Sequence, residues 1–515
     1  MNSNPDMMHE YNTNGAKAIA NIIKTTFGPR SMLKMIIDNQ GNLIVTNDGY
    51  SVLREIDTFH PIVKSLVEIS KVQDNEVGDG TTSIVLLCTE FLKAAEILIK
   101  KKLHPNQIIG GYFKVLNSIT SYIQKNFAAS IKRHDFMDVL KIVSTSICTK
   151  FVGRYSRLIC EIAFKAVYSL NANLKNLGIG ENIKIEKIFG NKIENSRVLS
   201  GIIIPKDVCH PKMRRFISNP RILLLECSVD FKKTDFKSIV NIKNELKLQN
   251  ILKTEENYTI YFCNIIKKFQ PDVLITEKNV SDFALYYLFK SNISVIRRVK
   301  KSDTNRLAKA TGSTIVSNIE EIDISDIGNA KNFCVKQIGD VCYTFITGCK
   351  NYSACTILLF GLSKDVLDEI ERNLHDAIGI VKLILHKSSI LPGGGGTELE
   401  LCKFLSEKKY AKNDSFLLYN SICSGLEIIP KTLIENCGMF SLHAIHKLKK
   451  IHLAKGSFYG IEGKYGKICD TRKLGIIEPS YMKVQIFKKA IENAAMIVRV
   501  DKFFYGVSQQ KKNSM

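Results

Sequence analysis

The 515-residue chain contains no tryptophan, only eleven prolines and no long apolar run. A membrane-spanning helix needs ~20 consecutive apolar residues, and no window approaches that length, so the sequence predicts no membrane partner. The segment from Met1 to Asn14 is polar and lacks the apolar core of a signal peptide. The expected location is therefore cytoplasmic.

Cysteine patterns typical of metal sites are also missing. The fourteen cysteines are dispersed, without a CxxC pair or a Cys/His cluster at zinc spacing. Cys349 and Cys355 flank a predicted turn and would pair only if oxidised, so separate thiols are expected in a cytosolic protein. His443, His446 and His452 share one amphipathic segment without a carboxylate or cysteine at ligand spacing. We interpret them as surface histidines.

A Walker A loop is absent. The nearest candidate, Gly460 to Lys467, has one residue too many between its glycines and is followed by Ile468. Any phosphate site must therefore be assembled from turns that are separated in the chain. Three glycine turns are candidates, and one nucleotide would contact all of them: Gly28-Pro29, Gly80 to Ser83, and Gly393 to Gly395.

The charge balance is strongly basic. Lysine and arginine total 73 against 50 acidic residues, which gives a formal net charge of +23. Such a balance is typical of proteins that bind nucleic acid or another polyanion. Here, however, the basic residues are scattered and no long basic block interleaves with aromatics, which favours a lysine-rich solvated surface. A polyanion-binding protein without ATPase activity remains the alternative, and it predicts steeply salt-dependent binding.

The clearest motif is the heptad Val77-Gly78-Asp79-Gly80-Thr81-Thr82-Ser83, followed by an apolar helical run. The glycines allow a tight turn with outward N–H groups, and the following helix presents unpaired N–H groups to an anion. Asp79 would repel bare phosphate, so it fits there only with a cation between them, and Mg²⁺ is the best candidate. The alternative is a glycine-rich turn with a capping threonine.

The predicted secondary structure changes twice along the chain, from helical to alternating strands and helices, and then back to helical. A chain of this length forms more than one core, so the predicted fold class is multidomain α and α/β. The short strand-like runs of the middle segment are Ile183 to Phe189, Ser196 to Pro205, Arg221 to Ser228, Pro271 to Thr276, Ile293 to Val299 and Val341 to Thr347.

The Gly78 to Ser83 motif resembles that of the group II chaperonins, the ring-forming ATPases of archaea and the eukaryotic cytosol. The resemblance runs from about Asn12 to about Gly506. Further matching motifs are Thr25 to Met32, Thr46 to Gly49, Glu371 to Ala377 and Pro392 to Gly395. Four stretches resemble one paralogous subunit most: His210 to Arg215, Thr276 to Lys278, Ile296 to Val299 and Thr356 to Leu359.

The resemblance implies a chaperonin fold. It would have a discontinuous, mostly helical equatorial domain, a small intermediate domain and an inserted α/β apical domain with a helical protrusion. The implied boundaries are 1–131 and 390–515 (equatorial), 132–195 and 357–389 (intermediate), and 196–356 (apical, client-binding, with the lid protrusion at about 231–269).

The resemblance also implies an ATP/ADP and Mg²⁺ site, with Asp79 as metal ligand and Asp376 and Asp48 as catalytic carboxylates. From spacing alone, Asp376 would be an exposed helical acid paired with Arg372. The implied nucleotide-binding residues are Gly28, Pro29, Gly80, Thr81, Thr82, Ser83, Thr149, Lys150, Gly393, Gly394, Gly466, Glu478 and Lys483.

Three features qualify this assignment. Glu478, implied to lie near the nucleotide's sugar, would otherwise be an acid in a turn before Pro479. The chain also departs from the family pattern, with Phe27 where leucine is usual before Gly-Pro and Gly396 where another small residue is usual. Neither departure removes a chemical group from the expected site.

By resemblance, the chain is an ATP-dependent chaperone subunit of a hetero-oligomeric cytosolic chaperonin, with paralogous subunits in two stacked eight-membered rings. ATP hydrolysis would drive lid closure around non-native proteins such as actin and tubulin. A subunit that assembles but hydrolyses little is a further alternative.

A helical segment of the middle region is apolar nearly all round, and the family uses this helix for clients. Its spacing predicts a buried stripe, but at least one face is expected to be exposed. The stripe is Val280, Phe283, Ala284, Tyr287 and Leu288, and the opposite side is Leu285, Tyr286 and Phe289.

Overall fold

The computed structural model describes residues 5–37, 41, 43–56, 58–130, 136–170, 182–230, 245–349, 353–409, 416–456 and 458–503. The chain forms two compact units. Unit 1 comprises Met1–Cys160 and Arg372–Met515, and unit 2 comprises Glu161–Glu371. The finer division into three domains stays a prediction. Residues 231–244 of the predicted protrusion lie outside the described residues.

The α-helices in chain order are α1 (Pro5–Lys24), α2 (Gly49–Arg54), α3 (Pro61–Val77), α4 (Thr81–Lys100), α5 (Pro105–Tyr122), α6 (Phe136–Ile147), α7 (Ser156–Ser169), α8 (Glu245–Lys268), α9 (Asp282–Lys290), α10 (Lys301–Thr311), α11 (Lys364–His386), α12 (Gly396–Lys409), α13 (Phe416–Leu426), α14 (Ile428–Asn436), α15 (Ser441–Lys455), α16 (Thr471–Leu474) and α17 (Ser480–Val498).

The strands are β1 (Lys34–Ile37), β2 (Leu43–Thr46), β3 (Ala129–Ser130), β4 (Ile183–Phe189), β5 (Arg197–Leu199), β6 (Gly201–Ile204), β7 (Phe216–Ser218), β8 (Arg221–Leu225), β9 (Val273–Thr276), β10 (Ser294–Ile296), β11 (Ile315–Val316), β12 (Gly328–Asn329), β13 (Asn332–Ile338), β14 (Val341–Thr347), β15 (Cys355–Gly361), β16 (Ser389–Pro392), β17 (Tyr459–Glu462), β18 (Lys467–Asp470) and β19 (Ile477–Pro479).

Unit 1 is built around α4. Fifteen of its twenty residues are buried, which fits a helix that is apolar nearly all round. Helices α1, α13 and α17 pack on it, and Phe91, Tyr112 and Phe487 are among the largest fully buried side chains. The Tyr112 hydroxyl donates to the carbonyl of Phe91 at 2.8 Å, so the core has no unpaired phenol at this point.

Two small sheets of unit 1 bring distant segments together. β16 pairs antiparallel with both β19 and β3, and this register sets Leu391 opposite Glu478. β17 and β18 form a hairpin. The glycine turn after β16 thereby lies beside the segment that contains Glu478.

Unit 2 is an α/β unit, and strands occur in each segment where the sequence predicts them. Strands β10, β9, β8 and β11 form a parallel sheet, with β12 antiparallel to β8. A second sheet, β6-β14-β13-β7, is antiparallel, and β15 lies between β4 and β5 in a third. Parallel strands joined by helices account for the predicted alternation of strands and helices.

Helix α9 combines a buried stripe with two exposed aromatic residues. Ala284, Leu285 and Leu288 are buried against the core of unit 2, whereas Phe283 is 38% and Tyr286 61% exposed. The predicted stripe is therefore core except at Phe283 and the half-buried Tyr287, and one residue expected on the opposite side, Leu285, is also buried.

The interpretation of His452 as a surface residue is wrong. His443 and His446 are exposed, but His452 is only 1% exposed. Its Nε2 lies 2.6 Å from the carbonyl of Tyr459, and its Nδ1 lies 3.3 Å from Glu400 Oε2. Both ring nitrogens therefore have a hydrogen-bond partner inside the protein. The position of His452 on an amphipathic helix did not reveal that it is buried.

Two remaining expectations concern cysteines and membranes. Cys349 and Cys355 are both buried free thiols. Among the helices in the described ranges, none has the length and hydropathy required to cross a bilayer.

Glu400 generates a prediction about pH. Burial alone raises its pKa, but hydrogen bonds from His452 and Tyr122 and the charge of Lys403 outweigh it, so the pKa is lowered. The folded state then binds fewer protons than the unfolded state, and the stabilisation is lost as pH falls from the unfolded pKa (about 4.3) through the folded one. In urea unfolding, the stability advantage of wild type over Glu400→Gln should shrink across that window. A pH-independent difference would contradict this.

Candidate functional site

The turn between α3 and α4 depends on two glycines with left-handed backbone. Gly78 ends α3 with φ of 81°, and Gly80 precedes α4 with φ of 84°. Asp79 lies between them, and its Oδ1 accepts from the Gly80 N–H at 2.7 Å. Gln73 Nε2 donates to the Asp79 carbonyl at 2.9 Å. Two hydrogen bonds, one to the side chain and one to the carbonyl of Asp79, therefore fix the turn.

A side chain at either glycine would crowd neighbouring atoms. A Cβ on Gly80 would lie 2.5 Å from Ile486 Cδ1, and one on Gly78 would lie 3.1 Å from the Cα of Asp376. Since glycine has no side chain to cap α4, the first N–H groups of this long helix remain available to an anion. Thr81, Thr82 and Ser83, all buried, form its first turn.

This turn opens onto a cavity of about 810 Å³ within unit 1, a size within the roughly 300–1,000 Å³ typical of small-molecule sites. The cavity brings together residues from both sequence segments of unit 1. The predicted site residues that line it are Gly28, Pro29, Asp48, Asp79, Gly80, Thr81, Thr82, Ser83, Thr149, Lys150, Gly394, Glu478 and Lys483.

Asp376 does not line the cavity but lies directly behind its wall. Its carboxylate forms an ion pair with Lys150, and Lys150 itself lines the cavity. Asp376 is only 7% exposed, so the alternative of a solvent-exposed acid is wrong. The charge of the buried carboxylate is compensated by a residue 226 positions away.

Gly393 and Gly466 are likewise not among the lining residues. A Cβ on Gly393 would lie 3.0 Å from Glu478 Oε1, so this glycine makes room for the Glu478 carboxylate. Gly466 closes the turn of the β17–β18 hairpin, where its N–H donates to the Glu462 carbonyl at 2.8 Å. Glu462, on the same hairpin, does line the cavity.

Asp48 lines the cavity while capping α2. Its Oδ2 accepts from the Ser51 N–H at 2.9 Å and the Ser51 hydroxyl at 2.8 Å, and its Oδ1 accepts from the Thr81 hydroxyl at 3.3 Å. These bonds fix the carboxylate relative to the start of α4. Asp48 is thus the N-cap residue of α2.

The Gly28-Pro29 turn is held by residues from the far end of the chain. Asn436 Nδ2 donates to the Phe27 carbonyl at 2.7 Å, and a Cβ on Gly463 would lie 2.4 Å from Pro29 Cδ. Gly28 has φ of 91°. Close backbone approach therefore fixes this second turn at the cavity.

The segment before Lys150 is held by two polar side chains. The Thr149 carbonyl accepts from the Ser31 hydroxyl at 3.1 Å and from Asn47 Nδ2 at 2.9 Å. Asn47 also donates to Ser31 Oγ at 2.9 Å. This network connects three separated loops on one side of the cavity.

Several carboxylates lie near the metal-ligand candidate, Asp79. Burial and the charge of Asp48 raise the pKa of Asp74 to about 6, with Lys150 opposing and Asp79 adding to the shift. Burial likewise raises the pKa of Glu478. A phosphate group needs compensating positive charge in such surroundings, and carboxylate and hydroxyl oxygens are the ligands that Mg²⁺ prefers. The donor set therefore fits a magnesium nucleotide.

Sequence reasoning missed several residues that shape the site. Asn436 lies on a helix without a distinctive motif, so the sequence carries no signal for it. The others lie close to recognised motifs: Asn47 adjoins Asp48, Gln73 and Asp74 lie five residues before Gly78 and Asp79, and Glu398 lies three residues after Gly395. Closer inspection of those motifs could have found these four residues.

Comparison with known proteins agrees with this architecture. The family model described as the TCP-1/cpn60 chaperonin family matches residues 19–504. The chain belongs to this family. The family fold, with helix-rich and α/β parts, was the fold predicted from the sequence.

The individual relatives show which member of the family the chain resembles. The chain is 43% identical to T-complex protein 1 subunit gamma of Tetrahymena pyriformis over 508 residues, covering 97% of this chain and 90% of that protein. It is 42% identical to the subunit gamma of Homo sapiens over 502 residues, covering 96% and 92%. The prediction that the gamma subunit is the most similar paralogue is confirmed.

Gly80→Ala should disturb the site more than a matched glycine substitution. Left-handed backbone costs alanine about 1–2 kcal/mol at either position, but only at Gly80 does the new methyl group meet a buried side chain, that of Ile486, at an added cost of about 1–3 kcal/mol. Gly438, with φ of 78° and open space around it, is the control. Chemical denaturation should show the larger loss for Gly80→Ala; equal losses would contradict the packing argument.

Proposed function

We propose that the chain is an ATP-hydrolysing subunit of a hetero-oligomeric double-ring chaperonin in the cytosol. It would assemble with paralogous subunits and use the hydrolysis of ATP to close a lid around non-native client proteins, such as actin and tubulin. The observation that carries the proposal is the cavity in which two glycine turns, a helix N-terminus, Asp79 and Lys150 meet.

The chemistry follows from the charges around the cavity. ATP would supply the phosphoanhydride, and Mg²⁺ would neutralise charge on its phosphates. Asp79 would hold the metal ion, and the N–H groups and hydroxyls of Thr81 and Thr82 would bind phosphate oxygens. Thr81 also contacts Asp48, which couples the phosphate grip to the second carboxylate.

Asp376 would orient the attacking water. Its carboxylate is paired with Lys150, whose ammonium group lies at the cavity wall and is attracted to a phosphate. When Lys150 turns to the phosphate, it gives up part of its contact with Asp376 and leaves that carboxylate free to accept a proton. The ion pair thus connects phosphate binding to activation of the base.

The closing of the lid is a population shift, so ATP must bind the closed state more tightly than the open one. The exposed Phe283 and Tyr286 on α9 would contact apolar segments of a client in the open state.

Asp376→Ala should abolish most hydrolysis at this subunit while leaving nucleotide bound. We expect a fall of about 10²-fold or more, the usual loss when a general base is removed. The measurement is the ratio of diphosphate to triphosphate in nucleotide photo-cross-linked to this chain within the purified particle.

Asp365→Asn is the matched control, since Asp365 is an exposed carboxylate on the same helix, α11. It should leave the ratio unchanged. Wild-type hydrolysis in the Asp376→Ala particle would eliminate a catalytic role for Asp376 and favour a subunit that binds nucleotide mainly for structure.

The native mass of the tagged protein tests the assembly. We expect a particle of roughly sixteen times the 58.0 kDa chain that contains several related paralogues. A monomer, or a particle rich in RNA and free of paralogues, would instead favour the polyanion-binding alternative.

A further inference from the structure

A buried triad of charged side chains lies beside the cavity. Lys483 Nζ is 2.6 Å from Glu398 Oε1 and 2.8 Å from Glu478 Oε2. The side chains of Lys483 and Glu398 are 4% and 1% exposed. Lys483 and Glu478 line the cavity, and Glu398 is not among the lining residues.

We propose that Glu398 is a positioning residue of the nucleotide site, which sets the orientation of Glu478 by sharing the ammonium group of Lys483 and keeping it at one oxygen of that carboxylate, Oε2. The inference rests on the proposed function, because it assumes that a nucleotide occupies the cavity. Glu398 itself would not touch the ligand.

The backbone fixes the carboxyl groups at both ends of the triad. Glu398 lies in the first turn of α12, directly after the Gly393–Gly395 turn, where the helix dipole favours a negative charge. Glu478 is held opposite Leu391 by the β16–β19 pairing. Lys483 lies on the first turn of α17, and its long side chain places the ammonium group between the two carboxylates.

The charges of the triad do not balance. Burial lowers the pKa of the Lys483 amine, but the two carboxylates outweigh burial and raise it. For Glu478, burial raises the pKa, Lys483 opposes the shift and Glu398 adds to it. One ammonium group is thus shared between two acids, and neither acid is fully neutralised.

Stability alone gives no reason for Glu398. Burying a second carboxylate costs free energy unless its hydrogen bonds are complete, yet Glu398 Oε2 has no partner among the described residues. Lys483 would be neutralised by Glu478 alone. The extra acid is explained if its own pairing with Lys483 keeps the ammonium group at Glu478 Oε2 and leaves Oε1 available to accept hydrogen bonds.

Among the described residues, Lys483 contacts the Glu478 carboxylate through Oε2. The other oxygen, Oε1, lies on the side of Gly393, where a Cβ would come within 3.0 Å of it. A hydroxyl donor on the ligand, such as a sugar hydroxyl, is the chemistry that fits an ionised carboxylate with one open oxygen.

Glu398→Gln tests the inference, because it keeps the volume of the side chain and removes its charge. Lys483 should then pair fully with Glu478 and compete with the ligand. We expect the concentration of 8-azido-ATP that half-saturates photolabelling of this chain in the assembled particle to rise roughly tenfold. Maximal hydrolysis should change less than twofold.

Glu400→Gln is the matched control. Glu400 is also buried on α12, but its partners are His452 and Tyr122. Glu400→Gln should lower the free energy of unfolding without changing the concentration of 8-azido-ATP that half-saturates photolabelling. Competition by ATP and 2′-deoxy-ATP gives a second measurement: wild type should prefer ATP, and Glu398→Gln should lose most of that preference.

The outcomes separate the two proposals. If wild type is not labelled, the proposed function fails. If wild type is labelled and Glu398→Gln half-saturates within twofold of it, or if Glu400→Gln weakens labelling equally, the positioning role is wrong and the triad is structural. Non-additive effects of Glu398→Gln and Lys483→Met in the double variant would support action through Lys483, and additive effects would overturn it.

Discussion

The close packing of backbone at the Gly78–Gly80 turn is the constraint on which the rest of unit 1 depends. Helix α11 contacts this turn through Asp376 and also through Gly379, where a Cβ would come within 2.5 Å of the Val77 carbonyl. Helix α17 contacts it through Ile486. Because the two helices joined by this turn, α3 and α4, meet α11 and α17 at closely packed glycines, small displacements of any one of them reach the cavity directly.

Electrostatics imposes the second constraint. The residues that line the cavity include four carboxylates (Asp48, Asp79, Glu462 and Glu478) and four cations (Lys150, Arg154, Lys464 and Lys483). Lys150 and Lys483 are each already paired with a buried acid. A bound nucleotide would add negative charge to these surroundings, and Mg²⁺ bound with it would compensate part of that charge.

Much of the fold was predictable because its signals are local. The strand Ile183–Phe189 has the predicted bounds, and strands lie within each of the other predicted strand-like runs. The turns at Gly28, Gly80 and Gly394 were predicted from glycine, whose conformational freedom is a property of the residue itself. Burial was harder, since the helical spacing of His452 indicated a surface residue, whereas its partners Glu400 and Tyr459 come from a helix and a strand packed against it.

The sequence by itself therefore determined where the chain turns, which residue types are present at each turn and which family it belongs to. Only the tertiary structure decided which charges meet. Asp376 pairs with Lys150 across 226 positions, and Lys483 pairs with Glu398 across 85. No spacing rule encodes such pairs, because they arise when separate helices and sheets bury their apolar faces together and carry polar side chains into contact.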